Sequence, residues 1–163
     1  MVPPPDTAPE LLREAREFLA HFRSVQLATV NKAGEPLASY APFVRLPDGS
    51  LCMLLSELAA HTRNLQDNPI ASLLFIEPEA EATEIFARRR LVCSCRARLY
   101  RPGTSEREAV VHALQARFGD IAEQLASLPD FYGVILEVDQ VSFVSGFAKA
   151  NTLPAKDLFR GIS

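Results

Sequence analysis

The strongest constraint on this chain is a succession of short apolar runs separated by turn residues. Ser24 to Val30 alternates, with Val25 and Leu27 on one face, and Asn31-Lys32-Ala33-Gly34-Glu35 then turns the chain. Pro36 to Leu46 reads as one strand in which Pro42 implies a bulge or a locally unpaired edge. Pro47-Asp48-Gly49 makes a tight hairpin into Ser50 to Leu55. Ile70 to Ile76 and Arg90 to Leu99 read as further strands, and in the second Leu91, Cys93, Cys95 and Ala97 alternate with Val92, Ser94, Arg96 and Arg98. Tyr132 to Val138 and Val141 to Lys149 complete the set. Strands joined this closely favour an antiparallel barrel over a doubly wound sheet.

Helices flank these runs. Ala8 to Phe22 carries Leu11, Leu12, Ala15, Phe18, Leu19 and Phe22 at helical spacing, with Thr7 and Glu10 as a capping box, and it suits one barrel mouth or edge. Ser105 caps a helix containing Val110, Val111, Leu114 and Phe118, and Ile121 to Leu128 forms another. Residues 77–83 are acidic and irregular. With 163 residues and no linker, the chain reads as one domain over 1–163, with a mobile tail at 1–7 and a C-terminal tail at 151–163.

Composition excludes several classes. A net charge of −3 gives no drive towards nucleic acid or anionic membrane. MVPPPDTAPE has neither the basic nor the apolar region of a signal peptide, and no apolar run approaches the roughly 20 residues that span a bilayer. Three cysteines, an odd count, in apolar runs read as reduced, buried thiols of a cytoplasmic protein. No dinucleotide, P-loop, nucleophile-elbow or zinc-protease motif is present, and His21, His61 and His112 lack a metal-ligand spacing.

The most informative polar stretch is LLSELAAHTRNLQDNP, Leu54 to Pro69. Ser56, His61 and Arg63 cluster where a strand gives way to a short helix stopped by Asn68-Pro69. Free backbone N–H groups and the positive dipole end at a helix start suit a phosphate. Arg88-Arg89-Arg90 is a second candidate, for phosphate or for carboxylates. On a strand Arg88 and Arg90 share a face and Arg89 points away; the bland reading is a solvated turn.

Taken together, QLATV, GEPLASYAPFV, LLSELAAHTRNLQDNPIASLLFI and FARRRLVCSCRARLYR resemble the flavin-binding split barrels related to pyridoxamine 5′-phosphate oxidase. SYAPFV, SELAAHTRNL and FVSGFAKA are most similar to the heme-utilisation branch, whose members are dimeric and bind or degrade heme. The resemblance covers Val25 to Thr152. It implies a mainly β (α+β) fold, an antiparallel split β-barrel of the FMN-binding type with flanking helices. It also implies that Ser39, Tyr40, Ala41 and Pro42 lie along the flavin ring, and that Ser56, His61 and Arg63 hold the FMN phosphate. Relatives often carry Arg-Lys where this chain has Ala60-His61. Arg88 and Arg90 are implied to meet a phosphate or heme propionates from the far side. Cofactor-binding relatives are homodimers with ligand sites at the interface, and heme-binding members take an axial histidine from a C-terminal extension, whereas no histidine follows His112 here.

The expected function is an FMN-binding flavoprotein with redox chemistry on a small substrate. The alternative is a heme-binding or heme-degrading protein of iron utilisation, and a third reading is a barrel that binds no cofactor and acts through its dimer surface. No catalytic acid or base and no metal site is assigned.

Overall fold

In the computed structural model of the protein, residues 8–147 and 149–160 are described. The expected tail at 1–7, Thr7 of the expected capping box, Ala148 and residues 161–163 lie outside them. The elements are α1 (Ala8–Leu19), β1 (Ser24–Val30), β2 (Pro36–Pro42), β3 (Val44–Arg45), β4 (Leu51–Ser56), α2 (Ala60–Asp67) and β5 (Ile70–Ile76). There follow β6 (Arg90–Tyr100), α3 (Ser105–Phe118), α4 (Asp120–Ala126), β7 (Phe131–Val144), β8 (Ala150–Leu153) and α5 (Ala155–Phe159).

The strands form one antiparallel sheet in the order β2-β1-β5-β6-β7-β4-β3, with β8 added to β7. The two ends of that path, β2 and β3, are neighbours in the chain with only Phe43 between them. The sheet therefore curls until its ends meet on one bent stretch, which pairs with β1 through β2 and with β4 through β3. This is the expected split barrel. The single strand expected over Pro36 to Leu46 is broken because Pro42 has no N–H to give, and the Phe43 N–H turns to the Arg23 carbonyl at 3.2 Å. The Phe43 side chain enters the core, 4 % exposed, and meets Phe75 edge-on at 5.3 Å.

Alternation decides what fills the barrel. Val25 and Leu27, Leu73 and Phe75, Leu91 and Cys93, and Val134 and Leu136 point inward with Leu51, Met53 and Leu55, and α1 adds Leu11, Ala15 and Phe18. A smaller cluster behind β4 packs Cys52 against Val110, Leu114 and Ala122 of α3 and α4. All three cysteines are buried thiols, as expected. Burial pushes Cys52 and Cys95 up to about 12 and raises Cys93 as well.

Other boundaries depart from the sequence reading. Helix α1 stops at Leu19, where His21 and Phe22 close by i−3 bonds to Phe18 and Leu19. Thr104, not Ser105, caps α3, its hydroxyl accepting from the Arg107 N–H at 3.3 Å. The two final strands are one long β7, in which Asp139 is the extra residue of a bulge between the pairs Ser94–Gln140 and Cys95–Val138. Its carboxylate is gripped by Arg96 at 3.1 and 3.2 Å. In the segment read as a C-terminal tail, β8 runs in from Ala150 and α5 follows, and Leu158 and Phe159 join the core.

Phe43→Ala removes the side chain that fills the closing bend. It is expected to lower the urea-unfolding free energy by about 3–5 kcal/mol, and a change near zero would show that closure does not depend on that ring.

Candidate functional site

With alternate residues committed to the core, the outward side chains of β2, β1, β5 and β6 form rows across the sheet. Register places Ala38, Ala28, Ser72 and Ser94 abreast, and beside them Tyr40, Gln26, Leu74 and Val92. The first row holds only methyl and hydroxymethyl side chains, so the sheet is low there. An open groove of about 590 Å³ results, lined by Ala38, Ala28 and Ser72 of the first row, Gln26, Leu74 and Val92 of the second, and Leu27 and Ser39. A hollow of about 200 Å³ continues it past Gln26 and Leu74 to Phe22, Tyr40 and Ile76. Tyr40 is 67 % exposed at this junction, and Val92 and Ile70 are also exposed apolar side chains.

Helix α2 packs against β1 on the core-facing side of the sheet, beside β2, which pairs only with β1. His61, half-buried in the first turn of α2, brings Nδ1 to 2.9 Å from Ser39 Oγ, and the Ser39 hydroxyl donates to the Leu27 carbonyl at 3.3 Å. Deeper in, Asn64 donates to the Thr29 hydroxyl at 3.0 Å, a buried bond that holds the helix on β1. Burial lowers the His61 pKa, so the ring is neutral at pH 7.

The expected phosphate corner is differently occupied. The Ser56 hydroxyl donates to the Asp130 carboxylate at 2.5 Å and accepts from the Leu58 N–H at 3.1 Å. Arg63 donates to the Leu58 carbonyl at 2.6 Å, and Glu57 accepts from the Tyr132 hydroxyl at 3.2 Å. Ser56 and Arg63 thus brace the turn into α2, and an anion beside Ser56 would meet the Asp130 carboxylate. His61 is not part of that bracing, since its imidazole turns to Ser39.

The arginine run divides in three. Arg88 donates to the Glu77 carbonyl at 2.6 and 3.0 Å and stands 3.7 Å from the Glu79 carboxylate. The Arg89 N–H and guanidinium both reach the buried Glu77 carboxylate, at 2.7 and 3.3 Å. The acidic loop and the basic run therefore clasp one another between β5 and β6. Arg90 alone starts β6, opposite Ile76 on the outward row, and donates to the Arg88 carbonyl at 2.9 Å. Of the β2 candidates, Ser39 lines the groove and Tyr40 the adjoining hollow. Ala41 points into the core, and Pro42 faces a pocket against α3 and α4. Sequence reasoning missed Gln26, Ala28, Ala38, Ser72, Leu74 and Val92. Strand parity signalled that each faces outward, but only the register puts them side by side. No group of His, Cys, Asp or Glu among the described residues is arranged to hold a bare metal ion, and no described helix is long and apolar enough to cross a membrane.

The family model described as pyridoxamine 5′-phosphate oxidase matches residues 11–145. A heme oxygenase, HutZ of Vibrio cholerae, is 39 % identical over 145 residues, covering 89 % of this chain and 82 % of that protein. The crystal structure of HutZ, described there as a heme storage protein, superposes with a TM-score of 0.74 at 38 % identity over 79 % of this chain and 91 % of that one. ChuZ of Campylobacter jejuni gives a TM-score of 0.78 at 31 % identity, covering 88 % of this chain and 58 % of its own. A heme binding protein from Mycobacterium smegmatis gives 0.75 at 28 % identity, covering 97 % of this chain and 61 % of its own. These relatives overturn the expectation of an FMN flavoprotein. HutZ and the Mycobacterium protein are heme proteins by description, and the heme alternative is the reading they support.

His61 titrates below its ordinary value in the folded chain. Its contribution to stability is therefore complete above the unfolded-state pKa and is lost as pH falls through the folded one. An NMR titration should place its midpoint below the ordinary histidine value, and His61→Gln should flatten the stability profile in that acidic window. A midpoint at or above the ordinary histidine value would contradict the burial argument.

Proposed function

We propose that this chain, which belongs to the pyridoxamine 5′-phosphate oxidase family, is a heme-binding protein that takes the macrocycle on the outward face of β2, β1, β5 and β6. The observation that carries this reading is the row Ala38, Ala28, Ser72, Ser94, bordered by Tyr40, Leu74 and Val92. At about 4.8 Å per strand, four strands make a bed roughly 14 Å across, the scale of a porphyrin. Large side chains would hold a flat ring off the sheet, and these do not. An apolar ring laid there covers surface that otherwise faces water.

The residues present fit the group. Apolar contacts come from Ala28, Ala38, Leu74 and Val92, and an aromatic edge from Tyr40. Arg90, at the end of the bed marked by Ile76, supplies a fork of N–H donors for a propionate. Bound heme would bring the iron and its redox chemistry, while the chain contributes the bed, the charge at its rim and the exclusion of water. Binding is common to both descriptions of HutZ, storage and oxygenase. The same reading seats a second copy of the chain over the bed, because a single sheet covers one side of a ring and leaves Tyr40 and Val92 in water.

Hemin titrated into colourless purified protein is expected to give a saturable Soret band, with FMN in parallel showing no binding. Saturable FMN binding with only non-saturating hemin adsorption would overturn the reading. Ala28→Arg, in the middle of the bed, should lower hemin affinity about tenfold or more, a loss of at least about 1.4 kcal/mol, without changing the circular dichroism of the fold. Light scattering at micromolar concentration should report a dimer, and a monomer in both the apo and hemin-loaded samples would remove the proposed second wall.

A further inference from the structure

Beside the closing bend lies a second cavity, which the heme-binding reading does not use. Its volume is about 170 Å³, and the guanidiniums of Arg16 on α1, Arg45 on β3 and Arg117 on α3 line it with the apolar walls Leu19, Phe43 and Phe159. Arg16 and Arg45 are half-buried, and Arg117 stands exposed at the rim. None of the residues that line this cavity lines the bed or the hollow beside it.

The charge here is of one sign. Elsewhere the chain sets Arg88, Arg89, Arg96, Arg98 and Arg107 each within 4 Å of a carboxylate. Among the described residues no acidic side chain lines the cavity, and none stands within ion-pair distance of Arg16 or Arg117. Like charges around one hollow repel, more strongly where water is thin. Burial and then Arg16 lower the Arg45 pKa, and burial, then Arg23 and Arg45, lower that of Arg117.

The donors of Arg16 and Arg117 are only partly used. A guanidinium carries five N–H groups. Arg16 gives one from Nη2 to the Asp157 carbonyl, while its Nε–H is buried with no partner among the described residues. Arg117 gives one to the Phe43 carbonyl and one to the Phe22 carbonyl, which leaves three. A buried N–H without a protein acceptor is costly, and an ion is a partner that can supply what the fold does not.

We propose that this cavity is an anion site that takes a phosphate group, as inorganic phosphate or a small phosphate monoester, between Arg16 and Arg117, with Arg45 adding to the positive field. A phosphate presents oxygens in several directions and up to two charges, so it can meet guanidinium forks that arrive from α1 and α3. A carboxylate offers two oxygens in one plane and serves one fork well. The apolar walls leave room for a few carbons beyond the phosphate. The bound ion ties α1 and α3 to the bend, so it stabilises the folded chain by mass action.

The test uses the full chain at fixed ionic strength, with inorganic phosphate and glycerol 3-phosphate as probes and acetate and chloride as controls. Both phosphates should raise the melting temperature saturably and show a saturable heat of binding, and the controls should not. Tighter binding of glycerol 3-phosphate assigns the monoester, and tighter binding of phosphate assigns the free ion. Arg16→Gln should lower phosphate affinity about tenfold or more while its hemin titration stays that of the wild type, which also shows that the variant is folded. In the wild type, phosphate should protect Arg16 and Arg117 from phenylglyoxal, read by mass spectrometry, while the exposed Arg13 reacts as before. A melting temperature that moves alike with phosphate, acetate and chloride reports screening alone and overturns the site. So does phosphate binding that Arg16→Gln leaves unchanged, or a phenylglyoxal pattern that phosphate does not alter.

Discussion

The bend at Pro42-Phe43 is the constraint on which the rest of this molecule depends. A sheet with the order β2-β1-β5-β6-β7-β4-β3 has two ends, and an open sheet would leave both exposed. Here both ends belong to one stretch of chain. The missing N–H of Pro42 releases the ladder on one side and lets β3 begin on the other. Arg117 of α3 then staples the bend from outside, donating to the Phe43 carbonyl at 3.2 Å and the Phe22 carbonyl at 2.6 Å while its guanidinium stacks on the Phe43 ring at 5.3 Å. That guanidinium is itself partly desolvated and shares the area with Arg23 and Arg45, so its pKa is lowered. A carbonyl-rich corner tolerates it because backbone oxygens are the partners that such a cation can use.

Closure also explains why the candidate site lies where it does. The first half of the bent strand is left without a second strand partner, and α2 packs beside it on β1, held by Asn64 to Thr29 and reaching β2 through His61 to Ser39. Most of the remaining polar groups nearby are already used. Ser56 and Asp130 close the turn into α2, and Glu77 clasps Arg88 and Arg89 at the far end of β5. These bonds make rigid turns but leave little for an anion to replace. The surface still able to take a ligand is the low, apolar outer face, which suits a flat ring better than a phosphate tail.

Several elements were legible in the residues themselves. Ile70 to Ile76 is a strand with the bounds its apolar run dictates, and the Pro47-Asp48-Gly49 turn forms as its residues require, with Gly49 at φ +92° and Asp48 accepting from the Ser50 N–H and hydroxyl at 2.9 and 2.6 Å. Less legible were features that depend on a distant partner. Asp139 looked like a break between two strands. It is a bulge within one, because the facing strand continues and Arg96 captures the extra carboxylate. Residues 151–163 were legible only as a tail, because α5 is short and owes its place to burying Leu158 and Phe159.

What the sequence determined by itself was parity: which side chains of each strand face the core, and hence that a barrel with a thiol-containing, dry interior would form. Only the tertiary structure decided which residues stand beside one another. Ala38, Ala28, Ser72 and Ser94 come from four strands, and Ser56 meets Asp130 across 74 positions of chain. Parity is a property of one strand and can be read locally. Register is a property of a pair, set by closure of the whole sheet, and no single segment contains it.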